Sequence, residues 1–273
     1  MDMVHVTLVR TDIDHASLAR MIDALSPSEQ ARAARFRQLE DRRRHVVART
    51  VLKRLLAERL GGKACDVMLV TGAHGKPMLA ADGYEDQTAH GAQRMSAAMQ
   101  RTPSNGSDAN RLLQDVRPSL HFNLSHSGDL ALIALAPVPV GVDLERDTPA
   151  DAQALAQAWF TPAEQARLAQ GDDDFLSLWT AREAVLKARG TGLSGEPDFK
   201  HYACVQLDLG AVLTEPGTQA IPPSLSRGYR AALAVFGTAL PVQLTSTDVT
   251  RFVPRVTLDA LAPASRDALC LHP

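Results

Sequence analysis

Cysteine is scarce in this chain: Cys65, Cys204 and Cys270 are the only three in 273 residues. They are far apart, and no pair has the spacing of a metal site or a redox motif. Reduced thiols in a cytosolic protein are the expectation. A second absence is that of a long apolar run: no uncharged stretch approaches the roughly 18 residues a membrane span needs. The first residues, Met1 to Arg10, alternate apolar and polar like a short strand, without the charged head and apolar core of a signal peptide. An excess of one charge is also missing. The formal net charge is −2, so the molecule as a whole is no polyanion binder. With 45% hydrophobic and 22% charged residues, the composition is that of a globular protein of one large or two modest domains. The charge is uneven, however. Arg32, Arg35, Arg37, Arg42, Arg43, Arg44, Arg49, Lys53, Arg54 and Arg59 crowd one early segment. Such a run is either a solvated helix face or a patch for a phosphate-bearing or acidic partner.

Helix signals come in two similar sets. Ser26-Pro27-Ser28-Glu29 is a helix start: Ser26 caps free N–H groups, Pro27 suits the first position and Glu29 closes a capping box. A short helix over about 14–25 precedes it. A longer one over about 41–60 follows, with an apolar stripe at Val47, Val51, Leu52, Leu55, Leu56 and Leu60, and stops at Gly61-Gly62. Later, Thr161-Pro162-Ala163-Glu164-Gln165-Ala166-Arg167 echoes Ser26 to Arg32, and Ala181 to Lys187 echoes Ala48 to Lys53 with one extra residue. Between the sets, Leu120 to Leu124 and Leu130 to Leu135 predict a hairpin around the polar turn Ser125 to Asp129, followed by a strand over 140–145. Further strands are predicted near 199–207, 229–236 and 242–247. The expected fold class is α+β; the echo is either chance similarity between Ala- and Arg-rich helices or the mark of two similar subdomains in a pseudo-twofold arrangement, each a small antiparallel sheet packed with helices, with the active site in the cleft between them. The expected division is 1–137 and 138–273, with a flexible polar insertion at about 80–118.

Four stretches carry chemistry. In Val140-Gly141-Val142-Asp143-Leu144-Glu145, alternation sends the valines and leucine one way and Asp143 and Glu145 the other, with Gly141 leaving open space beside them. Paired carboxylates suit Mg²⁺, which shares its shell with substrate phosphates, or else simply mark a solvated strand face. In Trp179 to Lys187, Glu183 and Lys187 lie one turn apart on one helix face, either a surface ion pair or an acid and a base presented to one substrate. Asn123-Leu124-Ser125-His126-Ser127 offers N–H and O–H donors suited to phosphate oxygens, or the polar residues any turn requires. Gly75-Lys76-Pro77 is a turn presenting one lysine.

Taken in order, Gly-Lys-Pro, Phe-Asn-Leu-Ser-His-Ser, Gly-Val-Asp-Leu-Glu and Trp-x-x-x-Glu-x-x-x-Lys closely resemble the 4′-phosphopantetheinyl transferase superfamily, in its larger surfactin-type (Sfp-type) branch. The likeness runs from about 26 to 194. It implies transfer of 4′-phosphopantetheine from coenzyme A, the co-substrate, to a serine of an apo acyl or peptidyl carrier protein by a cytoplasmic monomer, with no nucleic-acid or membrane partner. It also implies residue roles: Asp143, Glu145 and Glu183 around Mg²⁺; Ser125 and His126 near the coenzyme's phosphates; Lys76 at its adenine and phosphate end; Arg44, Arg32 and His45 in the helical region receiving the nucleotide; Lys187 facing the pyrophosphate. Glu183, Lys187 and His126 are the implied catalytic set. Glu29 and His45 depart from the pattern of relatives, which often place a basic and a small hydroxyl residue there. The competing reading is a catalytically silent module that binds coenzyme A or a nucleotide.

Overall fold

A computed structural model describes residues 3–72, 75–80, 120–214, 221–237, 240–247 and 249–252. The insertion expected at about 80–118 lies outside them but for Ala80.

In chain order the main elements are β1 (Val4–Arg10), α1 (His15–Asp23), α2 (Pro27–Ala33), α3 (Leu39–Leu60), β2 (Leu69–Thr71), β3 (Pro77–Leu79), β4 (His121–Ser127), β5 (Leu130–Ala136) and β6 (Val140–Glu145). Then come α4 (Ala152–Trp159), α5 (Pro162–Gln170), α6 (Phe175–Arg189), β7 (Tyr202–Gln206), β8 (Leu213–Thr214), α7 (Pro223–Ser226), β9 (Arg230–Phe236) and β10 (Val242–Thr247). No helix among the described residues is long and apolar enough to cross a membrane. Cys204 is a free thiol, whereas Cys65 is disulfide-bonded, which corrects the expectation for that residue.

The first sheet runs β4-β5-β1-β10-β8 and the second β6-β9-β7, with β2 and β3 pairing apart. β1 pairs antiparallel with β5 but parallel with β10, so two late strands complete the first sheet across the division expected at 137/138. β5 shows why: its sequence, Leu-Ala-Leu-Ile-Ala-Leu-Ala, is apolar throughout because both faces are buried. Ala131, Ile133 and Leu135 pack with Val47, Val51 and Leu52 of α3, while Leu130, Leu132 and Ala134 pack with Val140, Val142 and Leu233 of the second sheet. The far side of the second sheet packs through Ala232 and Ala234 onto Ala184, Val185 and Ala188 of α6. The layers are thus helix, sheet, sheet, helix.

The two helix sets match in tertiary detail. Both capping boxes form, at Ser26–Glu29 and Thr161–Glu164. Each cap glutamate also receives a cation from the following long helix: Arg49 Nε donates to Glu29 at 3.3 Å, and Arg182 donates to Glu164 at 3.0 Å. Arg49 and Arg182 are the equivalent residues of the echoed segments. α3 starts at Leu39 and stops at Gly61 in the left-handed conformation (φ 69°). Leu60, expected in its apolar stripe, is 41% exposed, as the helix there runs past the edge of the core.

Candidate functional site

The expected five-residue turn after β4 is only two residues long. Ser125 pairs with Leu132, His126 with Ala131 and Ser127 with Leu130, leaving Gly128 and Asp129 as the turn. Ser125, His126 and Ser127 are therefore strand residues whose side chains alternate. Asn123, Ser125 and Ser127 face β6, an edge strand of the other sheet, while Leu124 and His126 line a cleft.

This alternation builds a seam. Asn123 Oδ1 accepts the N–H of Val142 (3.0 Å), Ser125 Oγ that of Leu144 (3.3 Å) and Ser127 Oγ that of Arg146 (3.3 Å). Side chains of β4 thereby take the place of a strand neighbour that β6 lacks on this edge among the described residues. The two serines have a second task. Ser125 Oγ donates to Asp143 Oδ1, and Ser127 Oγ donates to Glu145 Oε2, both at 2.9 Å. Register between the sheets and orientation of the acids are set by the same hydroxyls.

α6 brings the remaining groups. Gly141 does not leave open space beside the acids, as expected from the sequence; the backbone of α6 fills it. A Cβ at Gly141 would lie 2.0 Å from the Ala184 carbonyl oxygen and 2.4 Å from the Ala188 nitrogen. This close approach aims Lys187 at the strand: its Nζ donates to Asp143 Oδ1 at 2.5 Å and to Ser125 Oγ at 3.1 Å. Asp143 is 1% exposed, and its Oδ2 is buried with no hydrogen-bond partner among the described residues. Burial raises the pKa of Glu183; nearby Lys187 opposes this, and Asp143 and Glu145 add to it. Glu145 is raised by burial and by Asp143. Burial works against the charge of Lys187, but Asp143, Glu183 and Glu145 outweigh it and hold its pKa above that of ordinary lysine. These four groups form one electrostatic unit.

The cleft, of about 260 Å³, is lined among others by Arg32, His45, Arg49, Lys76, His126 and Lys187. His45 is pushed down to about 4, by burial and by Arg32, Arg49 and His126; its ring packs at 5.0 Å on Phe36 and its Nε2 is buried without a hydrogen-bond partner among the described residues. Burial likewise lowers His126, with Arg44 and Lys187 adding to the effect. Both imidazoles are thus neutral near pH 7 and can donate one N–H each without adding to the repulsion among the cations. Arg44 does not line the cleft. Its guanidinium holds the hairpin, donating to the Gly128 carbonyl (2.9 Å) and pairing with Asp41. Lys76 lines it, with an ammonium engaged by α6. Glu29, the departure noted in the sequence, is 8% exposed and turned to Lys53 and Arg49.

The sequence places Asn123 and Ser127 only among the donors of a turn and Arg49 only in the basic run, and assigns none of them a role of its own in the site. The Asn-x-Ser-x-Ser alternation was the available signal for the first two, hidden by assigning the serines to a turn. No group of three or more His, Cys, Asp or Glu among the described residues is gathered as a ready metal centre. The donor set nevertheless fits a hard cation: Asp143 Oδ2 is buried and bare, and two further carboxylates are held beside it at raised pKa.

The cleft lies between α3, the β2–β3 hairpin, β4 and α6, its wall is rich in cations, and Lys187 in that wall reaches Asp143, a charge pattern that suits a phosphate-bearing ligand. Comparison with known proteins gives the class. Residues 139–234 match the model of the 4′-phosphopantetheinyl transferase superfamily, and residues 13–96 that of the 4′-phosphopantetheinyl transferase N-terminal region. The 4′-phosphopantetheinyl transferase HetI of Nostoc is 29% identical over 82% of this chain and 81% of its own. The transferase Sfp of Bacillus subtilis is 24% identical over 64% of each chain. The human L-aminoadipate-semialdehyde dehydrogenase-phosphopantetheinyl transferase is 23% identical over 71% of this chain and 58% of its own. The chain belongs to the 4′-phosphopantetheinyl transferase superfamily.

Proposed function

We propose that this enzyme moves the 4′-phosphopantetheine arm of coenzyme A onto a serine hydroxyl of an apo acyl or peptidyl carrier protein, releasing adenosine 3′,5′-bisphosphate. The observation that carries the reading is the junction of Asp143, Ser125 and Lys187 at the end of a basic cleft, with Asp143 Oδ2 buried and bare.

Arg32, His45 and Lys76 receive the nucleotide and its phosphates, and His126 donates an N–H to the pyrophosphate. Arg44 holds the hairpin that carries His126 and adds positive charge at the cleft's edge. Asp143, Glu145 and Glu183 would hold Mg²⁺, which supplies positive charge against the pyrophosphate oxygens when bound. Lys187 stabilises the charge that builds on the phosphoryl group. Glu183, made more basic by burial and its acidic neighbours, takes the proton of the carrier serine as its oxygen attacks the β-phosphorus. The bridging P–O bond breaks, and its electron pair leaves with adenosine 3′,5′-bisphosphate. The residues assigned to the cleft all come from this one chain, and a monomer is the proposed working form.

Intact-mass spectrometry of an apo carrier protein incubated with this protein, coenzyme A and Mg²⁺ tests the reading. A gain of the phosphopantetheine mass that needs Mg²⁺ is the expected result. No gain with several carriers, despite coenzyme A binding, would overturn it in favour of the silent module.

A further inference from the structure

We infer that Lys76 is a positioning residue that clamps the catalytic helix from the opposite side of the cleft, beyond any contact it makes with coenzyme A. The last carbonyls of a helix have no partner within it. In α6, Gly190 N–H (2.9 Å) and Thr191 N–H (3.3 Å) both return to the Leu186 carbonyl. The next two carbonyls, of Lys187 and Ala188, receive Lys76 Nζ at 2.7 and 3.1 Å. One ammonium from the β2–β3 hairpin thus closes the end of a helix 111 residues further on. A cation at a helix C-terminus is also favoured by the helix dipole.

The clamp is anchored at both ends. Leu69 and Leu79 of the hairpin pack against the first core, and Gly72 N–H bonds the Lys76 carbonyl at 2.8 Å. On the other side the lysine stem reaches to Gly190, where a Cβ would touch its Cδ at 3.5 Å. Lys76 is half-buried, and that burial lowers its pKa, so the two carbonyls compensate an ammonium partly withdrawn from water. The residue whose carbonyl it holds is Lys187, whose side chain meets Asp143 and Ser125. Fixing that carbonyl fixes the origin of the Lys187 side chain. The third N–H of Lys76 is left for a phosphate.

The inference rests on the reading that Lys187 acts at the pyrophosphate, but its first test does not. Hydrogen exchange on the coenzyme-free protein should show the Gly190 and Thr191 amides exchanging about tenfold faster in Lys76→Met. In turnover, kcat should fall about tenfold or more while KM for coenzyme A moves less than about threefold. Lys76→Arg, which keeps donors for the carbonyls, should recover much of both. Unchanged exchange, or a raised KM with kcat intact, would overturn the clamp and leave Lys76 a simple ligand of the coenzyme. Should Lys76→Met not fold, the wild-type protein decides. Coenzyme A must leave those two amides protected; faster exchange on binding means that the ammonium abandons α6, and sinks the inference.

Discussion

Gly141→Ala tests the geometry of the site most directly. The added methyl carbon would sit 2.0 Å from the Ala184 oxygen and 2.4 Å from the Ala188 nitrogen, where ordinary contact begins at 3.4 Å. Both atoms are backbone of α6, so no side chain can swing aside, and the helix must back away from β6 by roughly 1.4 Å. Overpacking a filled core costs typically about 1–3 kcal/mol, and the rigidity of these neighbours puts this site at the upper end or beyond. With a urea m-value of about 1–3 kcal/mol/M, the unfolding midpoint should drop by about 1 M or more. Activity should suffer independently, because the same shift withdraws Lys187 and Glu183 from Asp143. A misplacement of about 1 Å can cost about 10²-fold in rate. Gly171→Ala is the control: it adds a side chain at φ 78° in open space, at about 1 kcal/mol and with no route to the site. Urea melts and single-turnover transfer rates would be read on both variants. A Gly141→Ala enzyme with wild-type midpoint and rate would refute the argument that glycine there admits the helix.

Three further outcomes follow from the same contacts. Glu183→Gln should bind coenzyme A normally yet lose about 10²–10⁴ in transfer rate; near-normal turnover removes Glu183 as the base. Ser127→Ala should free the Glu145 carboxylate and raise the Mg²⁺ concentration for half-maximal transfer about 10–100-fold, and an unaltered Mg²⁺ requirement would show that the hydroxyl does not orient it. Glu29→Gln leaves Arg49 and Lys53 without their carboxylate and should cost about 3 kcal/mol at pH 7. Burial pushes the pKa of Glu29 up, but Lys53 and the Ser26 N–H hold it below its ordinary 4.5. The pair's contribution is therefore present above that value and lost as pH falls through the lower folded value. Urea melts should show a smaller acid loss in Glu29→Gln than in wild type; equal losses would contradict the pairing.

The sequence by itself determined the local grammar of this protein. Both capping boxes, the stop at Gly61, the strand 140–145 with its acids on one side and the Glu183–Lys187 face are legible because each depends on residues one to four apart. The order of the four motifs sufficed to indicate the family, which the family comparisons support. Other features were settled only when distant segments met. The hairpin turn shrank to two residues because β5 pairs up to Ser127, and that pairing turned a supposed donor loop into the seam on β6. Glu29 looked like a misplaced acid until α3 brought Arg49 and Lys53 to it. Gly141 looked like empty space until α6 filled it. Periodicity tells which way a side chain points, but not what stands opposite. That depends on the packing of sheet on sheet and helix on sheet, where the partners lie 18 to 112 residues away.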